Sequence, residues 1–254
     1  MKVLVETQAS VTIVTINRPE RRNAVDHETA LALREAFIAF DRDDNMSVAI
    51  LTGADGYFCA GYDLTTVGSG PSLSTSEGEG PMGPTRMLLS KPVIAAVEGH
   101  AVAGGLELAL WCDLRVASSS AVFGVFCRRW GVPLIDGGTV RLPRLIGHSR
   151  ALDMILTGRA VEADEALQFG LANRLVPRGE ALPAALVLAT EMAKFPQVCM
   201  RTDRTTSYLQ WGDALPDALV REGIAGEAPL KAEATEGAAR FAGGLGRGGR
   251  FDVI

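Results

Sequence analysis

The stretch Pro92–Ser118 reads PVIAAVEGHAVAGGLELALWCDLRVAS. Pro92–Val97 is a continuous apolar run, the pattern of a strand buried on both faces. Gly99-His100 carries the chain toward Gly104-Gly105. From there Leu106, Leu108, Leu110 and Trp111 predict a helix with one acid, Glu107, among them. Cys112-Asp113 then leads into a second strand-like run, Leu114–Ala117. A strand, a glycine turn and the open amides of a helix N-terminus form a site for negative charge. The anion need not be a phosphate. Amides aimed at a carbonyl oxygen act as an oxyanion hole when that oxygen gains charge during reaction.

Around this stretch the chain reads as a soluble globular protein. Its 254 residues are long enough for a sizeable core. Apolar residues make up 47% and charged residues 22%, which argues against disorder. The net charge of −5, with basic residues scattered apart from Arg21-Arg22 and Arg128-Arg129, argues against nucleic acid as a partner. Cys59, Cys112, Cys127 and Cys199 lie far apart with no C-x-x-C spacing, and the histidines are His27, His100 and His148. A structural zinc site and a disulfide framework are therefore not expected. The first residues, MKVLVETQAS, lack the apolar core of a signal peptide, and no run reaches membrane-spanning length. The expected location is the cytoplasm, with no membrane partner.

Read in order, Lys2–Glu6 and Ser10–Asn17 predict two strands around a turn at Thr7-Gln8-Ala9. Asp26 is placed to cap a helix from His27 to about Asp41, with Leu33, Phe37 and Phe40 on its core face. Ser47–Thr52 predicts another strand, followed by the turn-rich Gly53–Tyr57. Val67–Thr85 is rich in Gly, Ser and Pro and reads as a mobile loop, with a helix starting near Pro84. It is expected either to form a flap over a pocket or to lie passively on the surface. Ser149–Thr157 and Glu162–Phe169 predict helices closed by Gly158 and Gly170. Beyond them helices dominate: Ala181–Lys194, Gln197–Gln210, Asp213–Glu222 and Pro229–Phe241.

These residues resemble the enoyl-CoA hydratase/isomerase, or crotonase, superfamily, and the resemblance covers nearly the whole chain. PVIAAVEGHAVAGGLELALWCDL follows the family signature, with Ala103 where the first of three glycines is common. INRPERRNAV, FCAGYDL, FGVFCRRWG, GVPLIDGGTVRL and TGRAVEADEALQFGLANRLVP fall where the family's other motifs do. The resemblance implies an α/β fold, a spiral of β-β-α units over residues 1–195. A helical C-terminal region, 196–254, would mediate assembly into a homotrimer, or a hexamer as a dimer of trimers. It implies an acyl-CoA thioester as substrate, with coenzyme A as part of that substrate and no separate cofactor.

Residue by residue, the resemblance makes the amides of Tyr62 and Gly104 the oxyanion donors. It places Arg22, Ala24, Ala60, Asp63 and Leu64 around substrate and CoA, with Arg21 or Arg22 available for phosphates. Two surface arginines on a solvated loop are the plainer reading. Asp63 is read as holding its turn. Glu107 is the catalytic acid/base, against the plainer alternative of an acid favoured at a helix N-terminus. Cys127 stands where typical hydratases carry a second glutamate, and a thiol in an apolar setting resists ionisation. Asp136, just before Gly-Gly-Thr, is either the substitute acid or a helix cap. Dienoyl-CoA isomerases carry an aspartate at the corresponding place. Arg128-Arg129 is either a surface pair or a charge near the acyl tail, and His100 is a turn residue.

Hydration of a 2-enoyl thioester needs a polarised carbonyl, water at C3 and a proton at C2. Glu107 and Asp136 together could position that water, which makes enoyl-CoA hydratase the first reading. Moving a double bond needs only one well-placed base, so isomerisation is the alternative. Other enolate chemistry, decarboxylation or C–C cleavage, is a third, and an acyl-CoA-binding protein without turnover is the reading from outside catalysis.

Overall fold

The computed structural model describes residues 1–68, 78 and 80–250. Most of the flap segment expected over Val67–Thr85 lies outside the described residues.

The chain opens with β1 (Val3–Gln8) and β2 (Val11–Ile16), paired antiparallel so that Gln8 faces Val11. The turn is therefore Ala9-Ser10, tighter than expected, with Ala9 at φ 50°. α1 (His27–Arg42) starts under Asp26, whose side chain accepts from the Thr29 amide, as expected of an N-cap. Then come β3 (Val48–Gly53), β4 (Val93–Val97), β5 (His100–Val102) and α2 (Gly104–Trp111). β6 (Leu114–Ser118), β7 (Val122–Gly124), α3 (Gly138–Ile146) and α4 (His148–Thr157) follow. β8 (Val161–Glu162), α5 (Ala163–Phe169) and β9 (Arg174–Val176) close the strand-bearing part. α6 (Ala181–Ala193), α7 (Gln197–Leu209), α8 (Leu215–Pro229) and α9 (Thr235–Ala242) complete the chain.

Six strands form one sheet in the order β1-β2-β3-β4-β6-β9, parallel from β2 onward. A second sheet, β5-β7-β8, runs beside it, and single bridges at Cys59–Ala101 and Val25–Tyr62 extend the same layer. The turns β2–Val25–α1, β4–β5–α2 and β6–β7–α3 each lay one strand in the large sheet, one short strand or bridge in the small layer, and then a helix. β4–β5–α2 is the clearest turn of this β-β-α spiral.

Both faces of the large sheet are covered, which is why its strands read as continuous apolar runs. Val14, Leu51, Ala95 and Val97 pack with α1 and α2. The alternate residues Ile13, Ile50, Ile94 and Val116 pack on Ala185 and Leu188 of α6.

Two further expectations are corrected. The helix near Pro84 is a single tight turn, Pro84–Arg86, because its backbone and side chains are tied to the segment around Asp136. The helix expected to end at Glu222 continues to Pro229 and passes through a wide turn, Leu230–Ala234, into α9. Proline lacks the amide donor and crowds the preceding turn, and a widened turn accommodates both.

Candidate active site

α2 is short, wholly buried and aimed N-terminus first at a cavity of about 390 Å³. Gly105 lets the helix start so close to its neighbour: a Cβ there would lie 2.1 Å from the Cys59 carbonyl oxygen. Glu107 stands in the first turn, 2% exposed, and lines the cavity. Its Oε1 accepts from the Asp136 amide at 2.9 Å and the Gly138 amide at 2.8 Å. Its Oε2 makes no hydrogen bond among the described residues. Burial, reinforced by the neighbouring Asp136 charge, pushes the Glu107 carboxyl up to about 7 against the pull of the two amides.

Asp136 lines the same cavity and is 3% exposed. Its Oδ1 accepts from the Met82 amide at 3.0 Å and from the Thr85 hydroxyl. α3 begins after Gly137 without a side-chain cap. The helix-cap reading of Asp136 is therefore replaced: the carboxylate faces the 80–85 segment. Oδ2, like Glu107 Oε2, has no hydrogen-bond partner among the described residues. Burial raises the Asp136 carboxyl too, opposed by the bonds from Thr85 and Met82. Two carboxylates, each held through one oxygen, share one apolar cavity.

The amides singled out in the sequence come together at the same place. Gly61 has φ 100°, and a Cβ built on it would sit 3.0 Å from the Gly104 amide nitrogen. Ala60–Tyr62 and the start of α2 are thus in backbone contact. The bridge from Val25 uses the Gly61 carbonyl and the Asp63 amide, on either side of Tyr62. Gly104 is the first residue of α2, where an amide has no partner within the helix. Tyr62 and Gly104 both line the cavity.

The Tyr62 segment is anchored by a residue that sequence reasoning passed over. Arg18, 9% exposed, reaches Asp63 Oδ2 and Asp26 Oδ2, each at 3.1 Å, and the Ala24 carbonyl. Asp63 also accepts from the Thr65 amide and hydroxyl. It is structural, as read, and its side chain points to Arg18. Buried Asn23 ties the same loop to the Ala54 and Tyr57 carbonyls at 2.9 and 2.7 Å. Their place in the INRPERRNAV motif was the available signal. Among the residues expected around substrate and CoA, Ala60 and Leu64 line the cavity. Arg22 is exposed beside it, its carbonyl accepting from the Ala60 amide and its guanidinium over the Tyr57 ring. Ala24 and Asp63 are not in the cavity lining; the Ala24 carbonyl and the Asp63 carboxylate meet Arg18.

Cys127 also lines the cavity, and burial pushes its thiol up, with the Glu107 charge adding to the effect. Arg128 and Arg129 turn outward, donating to the Ile155 and Gly158 carbonyls at 3.1 and 2.7 Å. His100 opens β5 and lies outside the cavity lining. A larger hollow, about 620 Å³, opens between α3 and α7, but its walls include neither Glu107 nor either amide. Among the described residues no group of three His, Cys, Asp or Glu side chains could hold a metal ion, and no helix is long and apolar enough to cross a membrane.

Comparison with known proteins agrees with the fold. Residues 6–242 match the family model described as enoyl-CoA hydratase/isomerase. The chain is 40% identical to enoyl-CoA hydratase EchA19 of Mycobacterium tuberculosis, over 83% of each chain. It is 39% identical to carnitinyl-CoA dehydratase of Salmonella arizonae, over 71% of this chain and 70% of that one. Among solved structures, enoyl-CoA hydratase EchA1 of Mycobacterium marinum superposes with a TM-score of 0.90, at 37% identity and 95% coverage of both chains.

Proposed function

The chain belongs to the enoyl-CoA hydratase/isomerase family, and from that premise we propose that it hydrates 2-enoyl-CoA thioesters in the cavity above α2. The observation that carries this reading is the pair Glu107 and Asp136, buried in one cavity with an open oxygen each, in a cavity that the Tyr62 and Gly104 segments also line.

The thioester carbonyl sits against the Tyr62 and Gly104 amides, with the helix N-terminus behind them. Water is held between Glu107 Oε2 and Asp136 Oδ2. Its oxygen bonds to C3 as its proton passes to Glu107. The C2–C3 π pair moves toward C1, and the carbonyl oxygen takes the charge of the enolate. Fixed backbone donors need no reorganisation at that moment. Glu107 then returns the proton to C2. A carboxyl near 7 is matched to both halves of this cycle, since it takes and gives a proton with little bias at neutral pH.

Coenzyme A arrives with the substrate, and exposed Arg21 and Arg22 are the charges available to its phosphates. The C-terminal helices leave Leu215, Leu219, Val220 and Ile224 largely in solvent. That exposed apolar set supports assembly of three copies, or two such trimers. The protein acts in the cytoplasm.

A second reading, double-bond isomerisation, is favoured by one observation: the wall at Cys127 offers a thiol that stays protonated. Absorbance-monitored turnover of 2-enoyl-CoA, with Glu107→Gln beside the wild type, tests the hydratase reading. Loss of the enoyl thioester band only in the wild type supports it. A 3-enoyl-CoA gaining that band, with 2-enoyl-CoA left unhydrated, would replace it by isomerisation.

A further inference from the structure

The cavity also carries information about the acyl group. Among the described residues, the only charged side chains lining it are Glu107 and Asp136, the pair already assigned to the reaction. The rest of its wall is built largely from Leu64, Val67, Phe126, Trp130, Val132 and Pro133. Arg128 and Arg129, which follow Cys127 in the chain, are committed outward to the carbonyls of Ile155 and Gly158. The guanidinium of Arg129 also lies 4.3 Å over the Phe126 ring, so one face of that ring is already taken by a positive charge. An acyl tail bearing a carboxylate finds no counter-ion among the residues of this wall. A tail bearing an ammonium finds no spare acid, and an aromatic face already occupied by Arg129.

Size points the same way. At about 30 Å³ per water-sized unit, the 390 Å³ cavity holds roughly a dozen heavy atoms. A four-carbon acyl group with its thioester would fill about half of it, estimated on the same unit volume. Trp130, at the rim, is 70% exposed, an apolar surface that a longer acyl chain would cover.

We propose that this cavity selects uncharged, apolar acyl groups of medium length, about eight to ten carbons, a size estimate from the cavity volume. The preference disfavours short acyl groups and, more strongly, acyl groups carrying a charge, and Trp130 and Phe126 are its determinants. The proposal rests on the hydratase reading for its kinetic form but not for its binding form, and the two are separable by experiment.

The test compares crotonyl-, hexenoyl-, octenoyl-, decenoyl- and dodecenoyl-CoA with two charged 2-enoyl-CoAs, one with a quaternary ammonium at C4 and one with a terminal carboxylate. kcat/KM is expected to rise by up to about fourfold for each methylene that becomes buried, until the cavity is full. Both charged substrates should fall below crotonyl-CoA. In Trp130→Ala the octenoyl-to-crotonyl ratio is expected to drop about tenfold, the effect of removing a large apolar surface from the rim. The exposed position of Trp130 spares the fold. Calorimetry with the corresponding saturated acyl-CoAs reads the same preference without turnover. If no enoyl-CoA reacts but octanoyl-CoA binds well above butanoyl-CoA, the hydratase reading fails and the pocket assignment stands. A flat length series, or a charged substrate that matches octenoyl-CoA, overturns the pocket assignment.

Discussion

The backbone amide of Asp136 donates to Glu107 Oε1 at 2.9 Å, while its carboxylate turns the other way, onto the Met82 amide and the Thr85 hydroxyl. One residue therefore holds Glu107 by its main chain and the 80–85 segment by its side chain. Arg141 reinforces the junction, donating to the Asp136 and Thr85 carbonyls at 3.0 and 2.7 Å.

Two substitutions at Asp136 separate charge from scaffold. Asp136→Asn keeps an oxygen for Met82 and Thr85 but removes the negative charge that helps raise Glu107. The acidic limb of the kcat/KM profile is expected to move to lower pH, with turnover reduced because water loses one of its two acceptors. Asp136→Ala leaves a buried amide and a buried hydroxyl unpaired, at a cost of about 2–4 kcal/mol by denaturant unfolding. Equal pH profiles for wild type and Asp136→Asn would remove Asp136 from the electrostatics of the site.

Burial of the Glu107 charge costs stability, and the sign is testable. Its folded value, about 7, lies above the ordinary 4.5. The protonated form is thus favoured in the native state. This contribution is fully present below pH about 4.5 and is lost as pH rises through about 7. Glu107→Gln carries no such charge. It is expected to gain on the wild type by on the order of 3 kcal/mol above pH about 8 and to gain nothing below about 4. Thermal unfolding at the two pH values measures it. An equal offset at both would mean that the buried charge costs nothing.

Ala103 precedes α2 at φ 54° and ψ −126°, a conformation that residues other than glycine avoid. Such strain costs about 1–3 kcal/mol, while glycine's extra freedom in the unfolded chain costs about 0.5–1 kcal/mol. Ala103→Gly is therefore expected to stabilise the protein by about 1 kcal/mol in denaturant unfolding. A loss of stability would show that the Ala103 methyl, packed toward Gly61, outweighs the strain.

The apolar residues left in solvent by α8 give a test of assembly. Light scattering on the purified protein is expected to give three or six copies of the 26.9 kDa chain. A double change, Leu219→Glu with Ile224→Glu, is expected to shift it toward smaller species. A monomer in the unaltered protein would leave those residues without a partner.

The spiral and the centre of the site were legible before the structure. Their signals are local: β4 as an apolar run, the glycines that let α2 approach Cys59, Glu107 among leucines, and Asp26 before α1. The oxyanion candidates Tyr62 and Gly104 needed the family resemblance as well, because they lie 42 positions apart in the chain and meet only through Gly61. The partner of the Asp136 side chain was not legible, since Met82 and Thr85 lie more than 50 positions away in a segment of weak local pattern. Arg18 read as one polar residue among several, yet it pairs with two acids, Asp26 and the buried Asp63. The expected boundary at Glu222 failed because Pro229 does not stop the helical path there. The outward turn of Arg128 and Arg129 likewise depends on the Ile155 and Gly158 carbonyls at the end of α4, which no spacing in the chain reveals.

Hydration at Glu107 is read out by mass spectrometry of the product formed from 2-octenoyl-CoA, with crotonyl-CoA alongside, in heavy-oxygen water. The expected product is a 3-hydroxyacyl-CoA carrying one oxygen atom from solvent, formed by the wild type and absent with Glu107→Gln. Unlabelled product with a displaced double bond, or the same hydration by Glu107→Gln, would contradict it.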